Sequence, residues 1–288
     1  MDWLFKDWKK AIVFLGREYV DNDGKTEHTW IGTGILIAFK GIYCLCTAKH
    51  VIYDANKKRS YENLFIGYNS KTGGIAGARL DELKKKYSIE WAFHKNNEVD
   101  IAIIPIEVDE KLGDTKPIPE ELFSKFDEIK ESDDIFFMGF QPGTVIEADK
   151  SNRIDPILRK GAISLLHPNK SYLIDANAFP GNSGSPVFLG AIMHEFNKND
   201  KGGVNINMGL SRRSGKFIGI ISGYIPYDEI AVSMQTNKPR VIFEENTGLA
   251  VVWPTDYVLE ILSSVEFIAG MNKAIEIEKQ LKAEGKVI

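Results

Sequence analysis

The chain has 288 residues, of which 43% are hydrophobic and 26% are charged. This composition is typical of soluble globular proteins and leaves room for one large unit or two ordinary domains. The net charge is −4, so the sequence has no basic surplus to neutralise phosphates, and we expect no nucleic-acid partner.

The N-terminal segment and the two cysteines bear on location. Charges at Asp2, Lys6 and Asp7 interrupt the first apolar stretch, whereas a secretory signal needs roughly 7–15 unbroken apolar residues. No stretch approaches the ~20 apolar residues of a membrane span. Cys44 and Cys46 share one face of a predicted strand, which favours two buried thiols over a disulfide or a zinc site. Unless a leader was removed, we expect a cytoplasmic protein with no membrane partner.

Twelve short apolar runs are rich in β-branched and aromatic residues and are bounded by turn residues, a pattern that predicts strands. Six lie in the first half, at residues 11–15, 34–38, 42–48, 64–68, 89–94 and 101–105. Six lie in the second half, at residues 135–140, 157–166, 171–175, 185–189, 217–224 and 248–253. Two sets of six indicate two similar β units, and closed barrels are one arrangement of short strands that leaves no exposed edge.

The segments between the strands are polar. Residues 107–132 are interpreted as a linker, with a short helix near residues 120–126. Residues 193–216 and 225–247 are predicted to be long loops. Loops of this length are uncommon unless they are functional or disordered.

After residue 254 the apolar residues adopt helical spacing. A first helix can be capped by Thr255, and a second is predicted at about residues 272–283. Their apolar faces consist of Tyr257, Val258, Ile261 and Leu262 in the first helix and Ala274, Ile277 and Leu281 in the second. We therefore expect an N-terminal barrel at residues 1–115, a C-terminal barrel at 116–254 and a helical tail at 255–288.

The strongest local signal is Phe-Pro-Gly-Asn-Ser-Gly-Ser-Pro at residues 179–186. A serine hydroxyl is a weak nucleophile that needs a neighbouring base and donors aimed at the oxyanion of the attacked carbonyl. Glycines around Ser183 allow a tight turn that directs the N–H groups of Gly181 and Ser183 inward. The same residues also fit an ordinary Gly/Ser/Asn turn, and this motif alone leaves both interpretations open.

Two further segments contain the partners that such a serine requires. His50 follows an apolar strand in Thr-Ala-Lys-His, where a rigid scaffold can hold a general base in place, although a lone histidine is more often a surface or core residue. Asp100 directly precedes an apolar strand and is either a turn residue or the buried carboxylate that orients an imidazole. Glu98 competes for that role but lies further from the strand and is expected to face solvent.

Together the three segments resemble the trypsin-like serine protease family. Thr-Ala-x-His, Asp-Ile-Ala and Gly-x-Ser-Gly-x-Pro occur in that family's chain order. Later segments at 159–164, 218–223 and 248–254 resemble an early strand of the second barrel, the strand that pairs with substrate and the last strand. The resemblance covers about residues 11–262. It implies an all-β fold of two six-stranded antiparallel barrels, the trypsin-like double barrel, with a C-terminal helix.

The resemblance also implies an activity and a site. It implies a serine endopeptidase that acts through an acyl-enzyme on a protein or peptide substrate, with no metal and no other cofactor. The implied residues are His50, Asp100 and Ser183 as the triad, Gly181 and Ser183 as the oxyanion hole, Asn177 at the base of the primary pocket, and Ser222, Tyr224 and Ala250 at its walls. Because no acidic residue stands at the pocket base, we expect an uncharged, small or medium apolar side chain before the cut bond.

Details of the sequence resemble the bacterial and intracellular side of the family, near the high-temperature-requirement-type proteases. Asn182 stands where pancreatic relatives have an aspartate that pairs with a newly freed N-terminal amine. A neutral amide makes no such ion pair, so we expect activity without N-terminal processing. Lys49 and Ser185 replace residues that are usually smaller in the family.

Two other interpretations stay open. An esterase-like enzyme, or a narrow protease that cuts one partner, would use the same residues. A catalytically silent or partner-gated binding module would retain the fold without turnover, although a complete triad argues against a relic. By family analogy the loops at 193–216 and 225–247 flank the catalytic region, and a regulatory protein partner would contact them.

Overall fold

The structure is a computed structural model that describes residues 2–21, 23–109, 111–141, 153–191, 194–198, 204–209, 211–236 and 238–284. The first half contains α1 (Asp2–Lys9), β1 (Ile12–Val20), β2 (Thr26–Phe39), β3 (Ile42–Thr47), α2 (Lys49–Ile52), β4 (Tyr53–Asp54), β5 (Arg59–Ser60), β6 (Leu64–Asn69), β7 (Ile75–Arg79), α3 (Leu80–Tyr87), β8 (Ala92–Phe93), β9 (Ala102–Pro105) and β10 (Ile118–Pro119). The second half contains β11 (Asp134–Gly139), β12 (Ile157–Leu166), β13 (Tyr172–Asp175), β14 (Pro186–Leu189), β15 (His194–Lys198), β16 (Val204–Met208), β17 (Phe217–Val232), β18 (Pro239–Pro254), α4 (Thr255–Leu262) and α5 (Val265–Ala283).

The first β unit is a largely antiparallel sheet with the strand order β7-β6-β1-β2-β3-β9-β8, and β10 adds to β2 in parallel. Its central hairpin joins β2 to β3 through Lys40 and Gly41, which have φ values of 48° and 78°. Two successive positive φ values are typical of a tight hairpin turn, which brings Phe39 directly opposite Ile42. β3 and β9 lie side by side in this sheet, so the segments that follow β3 and precede β9 lie together.

The second β unit is a closed barrel with the strand order β11-β12-β13-β18-β17-β14. The turn that carries Ser183 connects β13 to β14 within this barrel. β17 and β18 are 16 residues each, and their pairing continues past the barrel from Pro226 opposite Asn246 to Val232 opposite Pro239. The pair β15–β16 forms a separate two-stranded sheet.

The core consists of three apolar clusters, one inside each unit and one between them. Val13, Leu15 and Leu36 belong to a cluster inside the first unit, and Phe137 and Tyr172 belong to one inside the barrel. The third cluster lies between the units, and the helices pack on it. There the indole of Trp8 on α1 stacks on two barrel phenylalanines, with ring centroids 5.1 Å apart in each pair. Because neighbouring residues of a strand point to opposite faces, β2 contributes to two clusters at once.

The helices agree with the predicted apolar faces. Val258, Ile261 and Leu262 of α4 are buried in the cluster between the units, and Ala274, Ile277 and Leu281 of α5 pack on the first unit. The two helices begin earlier and run longer than the spacing alone indicated. Thr255 does not cap α4, because its hydroxyl donates to the carbonyl of Ser124 instead. No helix of the described ranges is both long enough and apolar enough to cross a membrane.

The predicted fold class is confirmed in part. The chain is mostly β, with one closed six-stranded barrel and C-terminal helices. Among the described residues, the first unit has eight strands in an open order rather than six, so its closure stays a prediction, as do the domain limits 1–115, 116–254 and 255–288.

The loop assignments are corrected. Residues 225–247 are largely strand. The two prolines are tolerated because Pro226 lies at a register shift and Pro239 is the first residue of β18. Residues 193–216 contain β15 and β16, and residues 193, 199–203 and 210 lie outside the described ranges. In the predicted linker, the helix expected near residues 120–126 is replaced by two short 3-10 turns, at Glu120–Leu122 and Phe126–Glu128.

The two cysteines are buried free thiols, as predicted. Burial raises the pKa of the Cys44 thiol to about 12, so it stays protonated and unreactive at neutral pH. Among the described residues, no group of three or more metal-ligating side chains is arranged to hold an ion.

Candidate active site

His50 lies on the first turn of α2, directly after β3 ends. Its neighbours Ala48, Val51 and Ile52 are buried in the first unit, whereas the imidazole is about half exposed. Apolar anchors on both sides therefore fix the backbone while the ring faces a cleft. This is the rigid strand-end placement that the sequence predicted for a general base.

Asp100 is the carboxylate that faces this histidine. Its Oδ2 lies 2.7 Å from His50 Nδ1, and its Oδ1 accepts the His50 backbone N–H at 2.9 Å. Ser222 Oγ also donates to Oδ2, at 2.6 Å. An ionised carboxylate only accepts, so it holds the proton on Nδ1 and leaves Nε2 as the acceptor. Glu98 is exposed and makes none of these bonds.

Ser183 follows a turn whose shape is set by its own sequence. The Asn182 N–H donates to the Phe179 carbonyl at 2.9 Å across Pro180 and Gly181. Gly181 has a φ of 91°. Proline followed by a residue of positive φ is the pattern of a type II turn, which requires glycine at this position. The central peptide, which carries the Gly181 N–H, is therefore held in one orientation.

The side chain of Asn182 secures the same turn from behind. It is 1% exposed. Its Oδ1 accepts the Phe179 N–H at 2.9 Å, and its Nδ2 donates to the Phe140 carbonyl at 3.1 Å. Both ends of the neutral amide are therefore satisfied without a charged partner.

Thr33, which the sequence analysis did not single out, connects the first unit to this turn. Its hydroxyl donates to the Gly181 carbonyl at 2.8 Å and accepts the Phe140 N–H at 2.9 Å. Its backbone N–H donates to the Ser183 carbonyl at 2.9 Å, and its carbonyl accepts the Thr47 hydroxyl at 2.7 Å. The residue is fully buried. All of its polar groups are thus used to join β2 and β3 to the serine turn.

Gly184 shows why a glycine follows the serine. Its φ is 86°, and a Cβ there would lie 2.0 Å from the Thr33 carbonyl oxygen and 2.3 Å from Thr47 Oγ1. Its N–H donates to the Ile221 carbonyl at 2.8 Å. The glycine thus lets the serine turn approach the first unit closely while it remains bonded to β17.

Ser183 and His50 open onto the same cleft, whose volume is about 230 Å³. Its lining comprises His50, Ala178, Phe179, Pro180, Asn182, Ser183, Ile221, Ser222, Gly223 and Tyr224. The cleft thus brings together two of the three triad residues and two of the four predicted pocket residues, while Asp100 supports His50 from behind.

The other two predicted pocket residues lie outside that lining. Asn177 is exposed near Gly248, and Ala250 is fully buried in the barrel, where it pairs with Tyr224. Their contribution to specificity stays a prediction. Tyr224, by contrast, stands at the rim, where its phenol donates to Glu244. That hydrogen bond to a carboxylate raises the pKa of Tyr224.

A family model described as trypsin-like peptidase domain matches residues 32–191, more than half of the chain and a range that includes His50, Asp100 and Ser183. No curated protein matches the sequence significantly.

Two solved structures resemble the fold. One is an HtrA-type protease with a decapeptide, at 14% identity and a TM-score of 0.48, covering 92% of this chain and 66% of that one. This chain therefore spans just under two thirds of that protein. The other is the thermostable serine protease AL20 from an extremophilic microorganism, also at 14% identity and 0.48, covering 89% of this chain and 99% of that one. On the match to the family model, the chain belongs to the family of trypsin-like serine proteases.

Proposed function

We propose that the chain is a serine endopeptidase that hydrolyses peptide bonds through His50, Asp100 and Ser183. The observation that carries the proposal is the paired contact between Asp100 and His50, at 2.7 and 2.9 Å, beside a cleft that Ser183 also lines. The proposed architecture is the double barrel of the family, with the first unit closed as the second is.

In the proposed mechanism, the Ser183 hydroxyl attacks the substrate carbonyl while His50 Nε2 takes its proton. The bond to the leaving amine breaks as His50 returns that proton to the nitrogen, and an acyl-enzyme remains. Water then attacks the ester, His50 again moves the proton, and the acid product leaves. Asp100 keeps its negative charge throughout and stabilises the imidazolium.

The negative charge that develops on the substrate oxygen requires donors. Among the described residues, no protein acceptor takes the N–H of Gly181 or of Ser183. The bonds from Thr33 and Asn182 to the turn favour an orientation fixed before substrate arrives. Donors preorganised in this way need no rearrangement in the transition state. The proposed oxyanion hole therefore depends on the turn being held from behind.

A neutral Asn182 also bears on activation. Its amide is satisfied by two backbone groups, so the turn needs no N-terminal amine as a counter-charge. We therefore propose a protease that is competent without processing, with protein or peptide substrates. A regulatory partner would act by ordering or covering the residues around the cleft. We propose that the protease itself acts in the cytoplasm, a compartment in which thiols such as Cys44 and Cys46 stay reduced.

A fluorophosphonate probe tests the proposal directly. We expect the native chain to gain one adduct, located on Ser183 by peptide mass spectrometry, and heat-denatured chain to gain none. Ser183→Ala is the matched control and should remain unlabelled. A native chain that stays unlabelled while Ser183 is intact would favour the catalytically silent binding module.

A further inference from the structure

The continuation of β17 and β18 beyond the barrel is the most exposed apolar feature of the described residues. We define the ribbon as residues 226–232 and 239–246, a two-stranded hairpin whose side chains are exposed on both faces. Half of the fourteen exposed large hydrophobic residues of the described chain lie on it or at its tip: Tyr227, Ile230, Val232, Met234, Val241, Ile242 and Phe243. Such a concentration of exposed apolar side chains favours an interaction site.

The ribbon also has free strand edges. β13 pairs with β18 only at 249–252, and β14 pairs with β17 only up to residue 220. In the described chain, the outer backbone groups of both ribbon strands therefore have no neighbouring strand. A lone two-stranded hairpin is marginally stable in water, and an extended peptide can add to such an edge through main-chain hydrogen bonds.

The charge of the ribbon identifies the kind of segment that fits it. It carries four carboxylates, at Asp228, Glu229, Glu244 and Glu245, against one cation on the ribbon, Arg240, and one at its tip, Lys238. None of the four is in an ion pair with a described cation. Asp228 lies directly opposite Glu244 on one face, and like charges in that position are destabilising. A cationic side chain between them would remove this repulsion.

Acidic and apolar side chains occupy successive parts of the ribbon. The acidic ones lie nearer the barrel, and the apolar residues Ile230, Val232, Val241 and Ile242 lie nearer the tip. On one face the Asp228–Glu244 pair is followed by the Ile230–Ile242 pair, and on the other Glu229 lies opposite Phe243. A strand added at the edge presents its own side chains with the same period of two. Strict alternation of basic and apolar residues would place every basic side chain on a single face of that strand. The complementary segment is therefore one in which a run of basic residues adjoins a run of apolar residues.

The ribbon is continuous with the candidate cleft. Tyr224 lines the cleft, and its hydroxyl donates to Glu244 on the ribbon. From Tyr224 to Ala231 the strand extends about 23 Å. A polypeptide whose scissile bond lies at Ser183 can therefore reach the ribbon with residues several positions away from that bond.

We propose that the ribbon binds an extended segment of the substrate, remote from the cut bond, in which a run of basic residues adjoins a run of apolar residues. The proposal rests on the protease function proposed above and names the class of substrate. Substrates with this segment would bind both the ribbon and the cleft. Short peptides without it would bind the cleft only.

The test measures binding without turnover. Ser183→Ala chain is titrated by fluorescence anisotropy against a fluorescein-labelled twelve-residue peptide in which pairs of lysines alternate with pairs of valines. The same titration is made with the counterpart in which glutamate replaces lysine. We expect the lysine peptide to bind, more weakly at 300 mM than at 50 mM salt because surface charges are screened, and the glutamate peptide not to bind.

A matched pair of triple variants locates the surface. Asp228→Asn, Glu229→Gln and Glu245→Gln together should weaken lysine-peptide binding about tenfold, or about 1.4 kcal/mol shared among three exposed ion pairs. Asp23→Asn, Asp127→Asn and Glu276→Gln change the net charge equally at exposed positions elsewhere and should leave the affinity unchanged. Phe243→Ser should also weaken binding.

Three results would overturn the proposal: equal affinity for both peptides, equal loss in both triple variants, or a ribbon-dependent dimer in sedimentation that excludes the peptide. Fluorophosphonate labelling of the parent chain separates this failure from that of the protease function. If the parent chain binds the lysine peptide but is not labelled by fluorophosphonate, the ribbon is a binding surface and its ligand is not a protease substrate.

Discussion

The serine turn and the ribbon, both in the second half of the chain, treat polar groups in opposite ways. Behind Ser183, the side chains of Thr33 and Asn182 are buried and every polar group they carry has a partner. On the ribbon, four carboxylates and several large apolar side chains face solvent, and none of the carboxylates is paired with a described cation. Buried polar groups must be satisfied internally, whereas exposed ones remain available to a partner. The backbone of the turn is therefore held by internal bonds, whereas the side chains of the ribbon remain exposed to solvent.

The largest effect is expected when the proposed nucleophile is removed from the serine turn. Ser183→Ala should lower kcat by about 10⁶, the magnitude known for loss of the serine in a serine hydrolase. The fold should persist, because Ser183 is bonded to Thr33 through its backbone carbonyl and not through its hydroxyl. Peptide-cleavage kinetics and circular dichroism check the two halves of the prediction. Full activity in this variant would exclude the proposed mechanism.

Asp100→Asn should have the next largest effect, about 10⁴ in turnover by analogy with the chymotrypsin-type triad, because an amide no longer enforces the proton on His50 Nδ1. The amide oxygen can still accept the His50 backbone N–H, so the loop should keep its shape. Steady-state kinetics measures the loss, and Glu98→Gln is the control. If Glu98→Gln lowers turnover as much as Asp100→Asn, the identity of the orienting carboxylate is wrong.

Thr33 separates positioning from chemistry. Thr33→Val keeps the shape of the side chain but removes the hydroxyl, which donates to the Gly181 carbonyl and accepts the Phe140 N–H. We expect kcat to fall about 10², the cost of misplacing a reacting group by about 1 Å, with little change in KM. Stability should fall by about 1–3 kcal/mol for buried groups left unsatisfied.

Thr33→Ser is the matched control, because it keeps the hydroxyl and loses only a methyl group. We expect it to retain most of the turnover of the parent chain. Burst kinetics on a chromogenic peptide, with thermal unfolding in parallel, distinguishes the two variants. If the serine and valine variants lose kcat equally, the hydroxyl does not position the turn.

Thr33 also illustrates what the sequence could and could not reveal. His50, Asp100 and Ser183 stand in ordered local motifs, so their types and spacing indicate their chemistry. Thr33 acts through contacts with residues more than a hundred positions away, and no local pattern encodes them. A signal was present in Gly32 and Gly34, since glycines inside a strand mark close approach of another backbone. A Cβ at Gly32 would lie 3.1 Å from the Ser183 carbonyl oxygen.

The same limit explains the errors in the fold. Apolar periodicity located the barrel strands, because each has one face in a buried cluster. It missed the ribbon because strands exposed on both faces show no alternation to detect, and prolines and acidic residues there are typical of loops. Strand order and closure depend on pairing between distant segments, which periodicity does not encode.

Asn182→Asp tests whether the turn needs a counter-charge. The carboxylate would replace the amide donor and place an oxygen against the Phe140 carbonyl, at a side chain whose present bonds in the described part of the chain are both to backbone groups. Burial without a partner raises the pKa of a carboxyl group. When the pKa of a carboxyl group is higher in the folded than in the unfolded chain, its protonated form stabilises the fold. This stabilisation is complete below the pKa of the unfolded state, about 4, and is lost as the pH rises.

Relative to the parent chain, Asn182→Asp should therefore unfold at progressively lower temperature as the pH rises above about 4. Asn182→Ala, which removes both hydrogen bonds without adding a charge, should be destabilised to the same extent at every pH. Thermal melts between pH 4 and pH 8 provide the comparison. A variant stabilised at neutral pH, and labelled by fluorophosphonate only after N-terminal trimming, would contradict the activation scheme.

The smallest effect is expected on the free energy of unfolding, when isoleucine is replaced by alanine on the ribbon and not in the barrel part of the same strand. Ile220 and Ile230 both lie on β17, but Ile220 is fully buried in the cluster between the units whereas Ile230 is 56% exposed on the ribbon. Ile220→Ala should cost about 2–5 kcal/mol of unfolding free energy, since it removes buried methyl groups and leaves a cavity. Ile230→Ala should change it by less than about 0.5 kcal/mol, as a surface substitution does. Urea unfolding with matched m-values measures both. A large loss at Ile230 would mean that the ribbon packs against something in the free chain, and its apolar side chains would then be structural and not available to a substrate.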